Sequence, residues 1–444
     1  MKALRGEAEA QDVHVSRCDV LVIGGGPGGA TIATLLAERG YDVVMLEKSR
    51  HPRFHIGESL LPHNTPMFRK LGVADEIKRI GMPKFGAEFV SPWHDKSVTF
   101  DFSGALDKSL PSAYQVRRSE FDEIQFRNAI RKGARTVEKC RATSVAFCSD
   151  GARVTSVRED GLEQTWQTKF VVDASGRDTL LAKQLGTKQR DKRHNSAAIY
   201  GHFSDAIRLE GKAEGNISMF WFEHGWFWFI PLSDGTTSVG AVCWPYYMQS
   251  RRMDPEKFFF DTIKLSPALQ MRLRDAKLVS SVMATGNYSY EAGRASGRNY
   301  LMLGDAFAFV DPVFSTGVFL AMHSAFVGAD TVGMCLENPR RAASALNAFD
   351  AAMRRGPKIF SWFIHRLTMP AMRYLFMNPS NKFGMQSAVL SMLAGDIFRG
   401  TPLTFGLLMF KTVYYLKSLL SPVQSLAAWR RRQLAIREPG TESR

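Results

Sequence analysis

The sequence predicts an α/β protein: a doubly wound parallel-sheet domain, split in the chain by an inserted mixed β-sheet and followed by a helical C-terminal region. Three observations carry this. Residues 18–49 read strand, glycine turn, helix and second strand. Short β-rich runs that end in Asp-Ala-Ser-Gly (173–176) and Gly-Asp (304–305) repeat that strand-to-turn grammar far along the chain. From about residue 341 it stops, and apolar stripes separated by arginines take over at helical spacing. The expected boundaries are a flexible tail over 1–16 and the parallel-sheet domain over 17–185 and 285–340, with a piece of the inserted sheet near 80–115. The inserted β-sheet domain takes 186–284 and a helical, basic region takes 341–444.

The first strand, 20–23, is a short apolar run that stops at glycine. Gly24, Gly26 and Gly29 follow at Gly-x-Gly-x-x-Gly spacing, with Pro27 and Gly28 inside the motif, and lead into an Ala/Leu-rich helix and a second strand at 42–46. Gly24 permits the tight turn, Gly26 lets backbone amides approach a pyrophosphate at the helix N-terminus, and Gly29 lets the helix pack close to the strand. Glu47 ends the second strand, where a carboxylate can hold both hydroxyls of an adenosine ribose. Together these make a Rossmann-like dinucleotide-binding unit. No second glycine motif for a nicotinamide appears.

Composition narrows the class. The chain has 444 residues, 45% hydrophobic and 23% charged, enough for two or three domains or one elaborated domain with a large core. Disordered, collagen-like and disulfide-stapled classes are excluded. Cys18, Cys140, Cys148, Cys243 and Cys335 are odd in number and scattered without a Cys-x-x-Cys pair. Neither a disulfide framework nor a metal site is indicated, and a reducing, cytoplasmic setting fits. The first residues lack the apolar core of a signal peptide. The nearest approach to a membrane span, 403–420, is interrupted by Lys411 and Lys417. The net charge of +15 is concentrated at one end, since residues 331–444 hold 16 Lys and Arg against 5 Asp and Glu. That asymmetry points to an acidic partner or to a solvated basic surface.

The remaining elements in order are HPRFHIGESLLP (51–62), MPKFGAEF (82–89), QVRRSEFD (115–122), FVVDASGRDT (170–179), HGWFWFIPL (224–232) and GRNYLMLGDAFAFVDPVFSTGV (297–318). Three of them have an ordinary structural reading. Alternating aromatics at Trp226 and Trp228 suit a half-buried strand, lysines such as Lys84 are usually exposed, and Ser315 and Thr316 can cap a helix.

Taken with the glycine motif, QVRRSEFD, FVVDASGRDT and Gly304-Asp305 resemble the FAD-dependent monooxygenase superfamily. The resemblance implies a Rossmann-like FAD-binding domain of the aromatic-hydroxylase and glutathione-reductase type, with an inserted mixed β-sheet substrate domain and a helical C-terminal region. It implies FAD contacts at Glu47, Lys48, Arg118, Asp173, Gly176, Gly304 and Asp305. Within that superfamily, Trp226-x-Trp228-x-Ile230-Pro231, Gly57-Glu58-Ser59, the Lys84-Phe-Gly-Ala context and DPVFSTGV (311–318) are similar to flavin-dependent halogenases of the branch acting on phenolic, pyrrolic or carrier-bound substrates.

This second resemblance implies that reduced FAD, as a co-substrate, reacts with O2 and that chloride or bromide is converted to hypohalous acid. Lys84 would be the catalytic lysine, and Trp226 and Trp228 would wall flavin from substrate. Arg53, Ile56, Gly57, Glu58, Ser59, Pro312, Gly317 and Val318 would flank the flavin, and the backbone amides of Ser315, Thr316 and Gly317 would hold the halide. A desolvated ammonium at Lys84 has a depressed pKa, which helps it either to hydrogen-bond the oxidant or to form a haloamine. Reduced flavin would come from a separate flavin reductase.

One position departs from the pattern. Tryptophan halogenases carry a glutamate just before the Ser-Thr pair, where this chain has Phe314, so free tryptophan is not the expected substrate. An electron-rich aromatic molecule, or an acidic acyl carrier protein bearing one, is. The basic segment 403–432 could dock such a carrier, or lie peripherally on the inner membrane face as an amphipathic surface. Nucleic acid is not expected, because no binding fold accompanies the charge. Two other classes remain open at this stage: an aromatic hydroxylase or polyene/isoprenoid reductase on the same scaffold, and a non-catalytic, membrane-associated flavoprotein.

Overall fold

The computed structural model describes residues 15–250, 254–286, 289–398 and 400–436. In it, Val20, Leu21, Val22 and Ile23 form an unbroken apolar run because the strand they complete is covered on both faces. That strand, Val15–Ile23, pairs in parallel with Val43–Leu46 on one side and with Glu163–Asp173 on the other. Tyr300–Met302 and Arg135–Val137 extend the parallel row outwards. The register sets Leu46, Ile23, Asp173 and Met302 in one line across the sheet. Their carboxyl ends open on the same edge, beside the point where strand order reverses, which is where parallel α/β sheets bind ligands.

The first strand begins at Val15, earlier than its apolar run and inside the segment expected to be a tail. Its first half is held by residues 165–168 of the long strand Glu163–Asp173, which also supports an antiparallel meander of Gly151–Arg158 and Cys140–Cys148. Residues 1–14, the rest of that expected tail, lie outside the described residues.

The second sheet runs in the order Lys277–Leu278, Ala197–Ser204, Thr237–Cys243, Gly225–Pro231, Ile217–Phe222, Gly86–Ser91, Lys96–Asp101. It is mixed because Ile217–Phe222 and Gly86–Ser91 pair in parallel. Every residue of Gly225–Pro231 is buried. The period of two divides them: Phe227 and Phe229 join a core with helix Pro255–Ile263, while Trp226, Trp228 and Ile230 face the C-terminal helices.

Helix Thr316–Glu337 is long and apolar enough to cross a membrane by composition, but more than half of its most apolar stretch is buried inside the protein. It packs on helix Pro27–Glu38 and is a core helix. Helices Ala342–Ile364, Pro370–Met377, Met385–Ala394, Thr401–Leu420 and Pro422–Ile436 follow and cover the Trp226 face. The last two meet at a tip where Leu419, Leu420 and Val423 are 73%, 81% and 80% exposed. Residues 397–436 contain no Asp or Glu.

The three consecutive arginines near the end do not form one surface. Arg430 and Arg431 are exposed, whereas Arg432 shares the inward face of its helix with Ala435 and Ile436, three and four residues on, and is buried.

Candidate functional site

A cavity of about 1120 Å³ runs along the aligned strand ends, larger than the ~300–1,000 Å³ usual for compact small-molecule sites. Its nucleotide end is built by the first glycine motif. Gly24 has φ +100°, and a Cβ there would lie 2.5 Å from the Ala174 carbonyl oxygen. A Cβ on Gly29 would lie 1.9 Å from the carbonyl oxygen of Gly24, so this glycine sets how closely helix and strand approach. Gly26 differs: a Cβ there would meet nothing nearer than Arg53, at 3.6 Å. The protein itself does not require glycine at Gly26, whereas a ligand lying on the helix N-terminus would. Pro27 and Gly28 open the helix beside it and line the cavity.

Glu47 is buried at the end of Val43–Leu46, its carboxylate accepting the N–H of Gly25 at 2.8 Å and of Ser49 at 2.9 Å. A carboxylate offers about four acceptor positions, which leaves capacity for ligand hydroxyls. Lys48 crosses the mouth to pair with Asp178, and Gly176 lies in the opposite rim.

Three residues expected at the cofactor stand behind the cavity wall. Gly29 does so as described. Asp173 is fully buried and spends its two oxygens on the amides of Ser175 and Leu181, at 2.9 and 2.8 Å, shaping the turn that follows the strand. Gly304, at φ +50°, leaves room for Ala321, whose Cβ would lie 2.8 Å from an added one. Asp305, beside it, does line the cavity, and burial pushes its carboxyl up to about 6 against the opposing field of Arg177 and Arg118.

Arg53, Ile56, Gly57, Glu58, Ser59 and Arg118 line the middle of the cavity. Arg118 holds Asp122 with Nε and Nη2, at 2.8 and 3.0 Å, and the Ile56 carbonyl with Nη1 at 2.8 Å. Arg53 reaches the same Asp122 at 3.0 Å. Burial would raise the Asp122 carboxyl, but the two guanidiniums hold it below the ordinary carboxylate range. Asp122 is therefore the joint of this wall. The sequence does carry a signal for it, the i,i+4 spacing from Arg118, but no motif named above draws on it. A second unanticipated residue is His202, whose Nε2 lies 2.8 Å from Glu58, both side chains being buried.

At the far end Trp226 and Trp228 form the wall, their ring centroids 6.2 Å apart at 54°. The Trp228 indole N–H donates to Ser238 Oγ at 3.1 Å. Gly240 makes room for it, since a Cβ there would lie 2.2 Å from the indole. Pro312, Ser315, Thr316, Gly317 and Val318 line the same end. Ser315 has φ +56° and donates its N–H to the Pro312 carbonyl at 2.9 Å, so that amide is consumed by the turn and corrects the expected trio. Thr316 and Gly317 open helix Thr316–Glu337, and first-turn amides have no intrahelical acceptor. Phe314 is buried against Phe360 and Phe363.

Lys84 does not line the cavity. It sits on strand Met82–Lys84, which pairs with Ala113–Gln115, and it is 2% exposed. Its Nζ donates to Ser59 Oγ at 2.9 Å and to the Leu60 carbonyl at 3.1 Å, and lies 5.4 Å from the Phe102 ring centroid. Burial pulls the amine down from 10.5 to about 7. The Ser59 hydroxyl thus stands between the amine and the cavity.

Residues 17–349 match the FAD binding domain family. A 1H-pyrrole-2-carbonyl-(peptidyl-carrier protein) chlorinase of Pseudomonas fluorescens is 29% identical over 86% of this chain and 90% of its own length. A tryptophan 2-halogenase of Chondromyces crocatus is 34% identical over 74% of this chain, which spans 64% of that protein. Among solved structures, a myxobacterial chondrochloren halogenase shares 35% identity at a TM-score of 0.76, covering 79% of this chain and 82% of the other.

Proposed function

The chain belongs to the flavin-dependent halogenases within the FAD-binding-domain family, and we propose that it uses reduced FAD, O2 and chloride or bromide to halogenate an electron-rich aromatic ring, of phenol or pyrrole type, free or borne on an acyl carrier protein. The observation that carries this reading is the division of the site: two indoles close one end of the flavin cavity, and a buried amine of lowered basicity lies behind Ser59.

Gly26 and the helix start after it would hold the pyrophosphate, Glu47 the adenosine ribose, and Asp305 the ribityl chain. Bound there, reduced FAD supplies with O2 the two-electron oxidation that turns a halide into hypohalous acid. The residues of the chain do the rest. The amides of Thr316 and Gly317 would hold the halide at a helix N-terminus, a field worth ~0.3–1 kcal/mol. Trp226 and Trp228 would keep an aromatic substrate away from the flavin, which favours halogenation over direct hydroxylation. Lys84 would either donate a hydrogen bond to hypohalous acid or, as a neutral amine, take the halogen. In that second route an N–X bond forms, the O–X bond breaks, and the displaced amine proton leaves with hydroxide as water. An amine titrating at about 7 populates both forms at neutral pH. Phe314 offers no carboxylate to accept the ring proton, which suits phenols and pyrroles because their rings need less help from a base.

A separate flavin reductase would supply the reduced cofactor, since one glycine motif serves one nucleotide. The pyrrole-carrier substrate named for the Pseudomonas relative supports a tethered substrate here. The apolar and cationic face of residues 403–432 is proposed as the contact with an anionic surface, a carrier protein or the inner membrane face, in a cytoplasmic enzyme.

The test is to incubate the protein with a flavin reductase, FAD, O2 and mixed halides, offering a phenol, free tryptophan and a pyrrolyl carrier thioester, and to read products by mass spectrometry. A halogen isotope doublet on a phenol or pyrrole is expected, and it should be lost in Lys84→Ala while FAD remains bound. Hydroxylated product, or turnover that ignores halide, would overturn the proposal.

A further inference from the structure

Away from the flavin cavity, buried polar side chains gather behind the loop that precedes helix Thr316–Glu337. Asp311, 3% exposed, caps the turn Pro312–Phe314 by accepting the Val313 N–H at 3.1 Å. Its other oxygen accepts from Ser196 Oγ at 3.1 Å and lies 2.8 Å from His194 Nε2. The Nδ1 of His194 lies 3.1 Å from Nη2 of Arg432, which also donates to the Arg193 carbonyl at 3.1 Å. Arg432 lies over the Trp244 ring at 5.9 Å and His194 packs edge-on to the same ring at 5.8 Å, so both are fixed from the side.

The direction of these bonds is determined by chemistry. A guanidinium has donors and no acceptor, so Nδ1 of His194 must accept from Arg432. Nε2 then carries the ring proton and donates it to Asp311. Arg432 therefore selects both the tautomer and the orientation of His194.

We infer that Arg432 and His194 are positioning residues for the halide site: together they fix Asp311, and through it the turn that holds Ser315 left-handed and presents the amides of Thr316 and Gly317. This rests on reading residues 316–317 as the halide site. It brings the last described helix, Pro422–Ile436, into the support of a site otherwise built from residues more than a hundred positions earlier.

Three variants separate positioning from general packing. His194→Gln offers an amide N–H to Asp311 and a carbonyl to Arg432, His194→Phe offers neither, and Arg432→Met keeps an unbranched side chain beside Trp244 without a donor. Three quantities are measured on each: amide hydrogen exchange of the 311–317 segment in protein without added cofactor, the apparent KM for bromide, and the Kd for FAD. His194→Phe and Arg432→Met should speed exchange in that segment and raise the bromide KM about tenfold while FAD affinity stays within about twofold, the loss expected for one buried charge-assisted hydrogen bond. His194→Gln should behave as the parent protein. Unchanged exchange and unchanged KM in both disruptive variants would overturn the inference and leave the halide reading intact. Faster exchange with an unchanged bromide KM would instead remove the halide assignment of the loop, and the inference with it. Should His194→Phe not fold, Arg432→Met decides the matter alone.

Discussion

Replacing Lys84 with methionine should stabilise the protein at pH 6 and lose that advantage by pH 9. The amine is 2% exposed and its partners, Ser59 Oγ and the Leu60 carbonyl, are neutral, so no counter-charge offsets its desolvation. The drop from 10.5 to about 7 is worth about 5 kcal/mol at 1.36 kcal/mol per unit. Below pH 7 the folded and unfolded chains both hold the proton, and the whole cost applies. Between 7 and 10.5 the unfolded chain binds more proton than the folded one, so this group lets stability rise with pH by about 1.4 kcal/mol per unit. The cost is therefore about 5 kcal/mol at pH 6 and about 2 kcal/mol at pH 9. Methionine removes it, while stranding two acceptors at about 1–2 kcal/mol each, a loss that does not vary with pH. The stability of Lys84→Met relative to the parent, read from urea unfolding followed by tryptophan fluorescence, should thus be about 3 kcal/mol more favourable at pH 6 than at pH 9. An equal difference at the two pH values would refute the reasoning, because it would mean that the amine is solvated and its basicity ordinary.

Two further outcomes follow from the cavity walls. Glu47→Ala should weaken FAD binding, read by titration of flavin fluorescence, by about tenfold or more through loss of a charged acceptor, and wild-type affinity would remove Glu47 from the ribose site. Gly240→Val should destabilise the fold by about 1–3 kcal/mol through overpacking against Trp228, with Gly235→Ala, at an open turn with φ +85°, as a control whose penalty arises from backbone strain rather than contact.

What the sequence disclosed was what local spacing encodes. The Gly24–Gly26–Gly29 interval sets a turn, an approach and a packing distance within six residues, so its geometry could be read before any fold was known. The same holds for the alternation that sends Trp226 and Trp228 to one face and Phe227 and Phe229 to the other. Contacts between distant segments were hidden: Glu58 meets His202 across 144 positions and His194 meets Arg432 across 238. Lys84 was identified from its neighbours, but its distance from the cavity depends on how Met82–Lys84 pairs with Ala113–Gln115, which no short motif reports. Composition also misplaced the most apolar long helix. Residues 403–420 are the nearest approach to a span that the sequence reading names, whereas Thr316–Glu337 is long and apolar enough to cross a membrane and is nonetheless more than half buried inside the protein, because hydropathy measures what a helix is made of and not what surrounds it.

The exposed leucines at the tip between the last two helices have a practical consequence for anyone handling the protein. Leu419, Leu420 and Val423 are largely exposed to water, and side chains of this kind promote self-association in concentrated samples. The obvious remedy, trimming the chain before residue 401, would also remove Arg432 and with it the contact to His194. Solubility should instead be sought by changing the three tip residues to polar ones, which leaves the inward face of the terminal helix where it is.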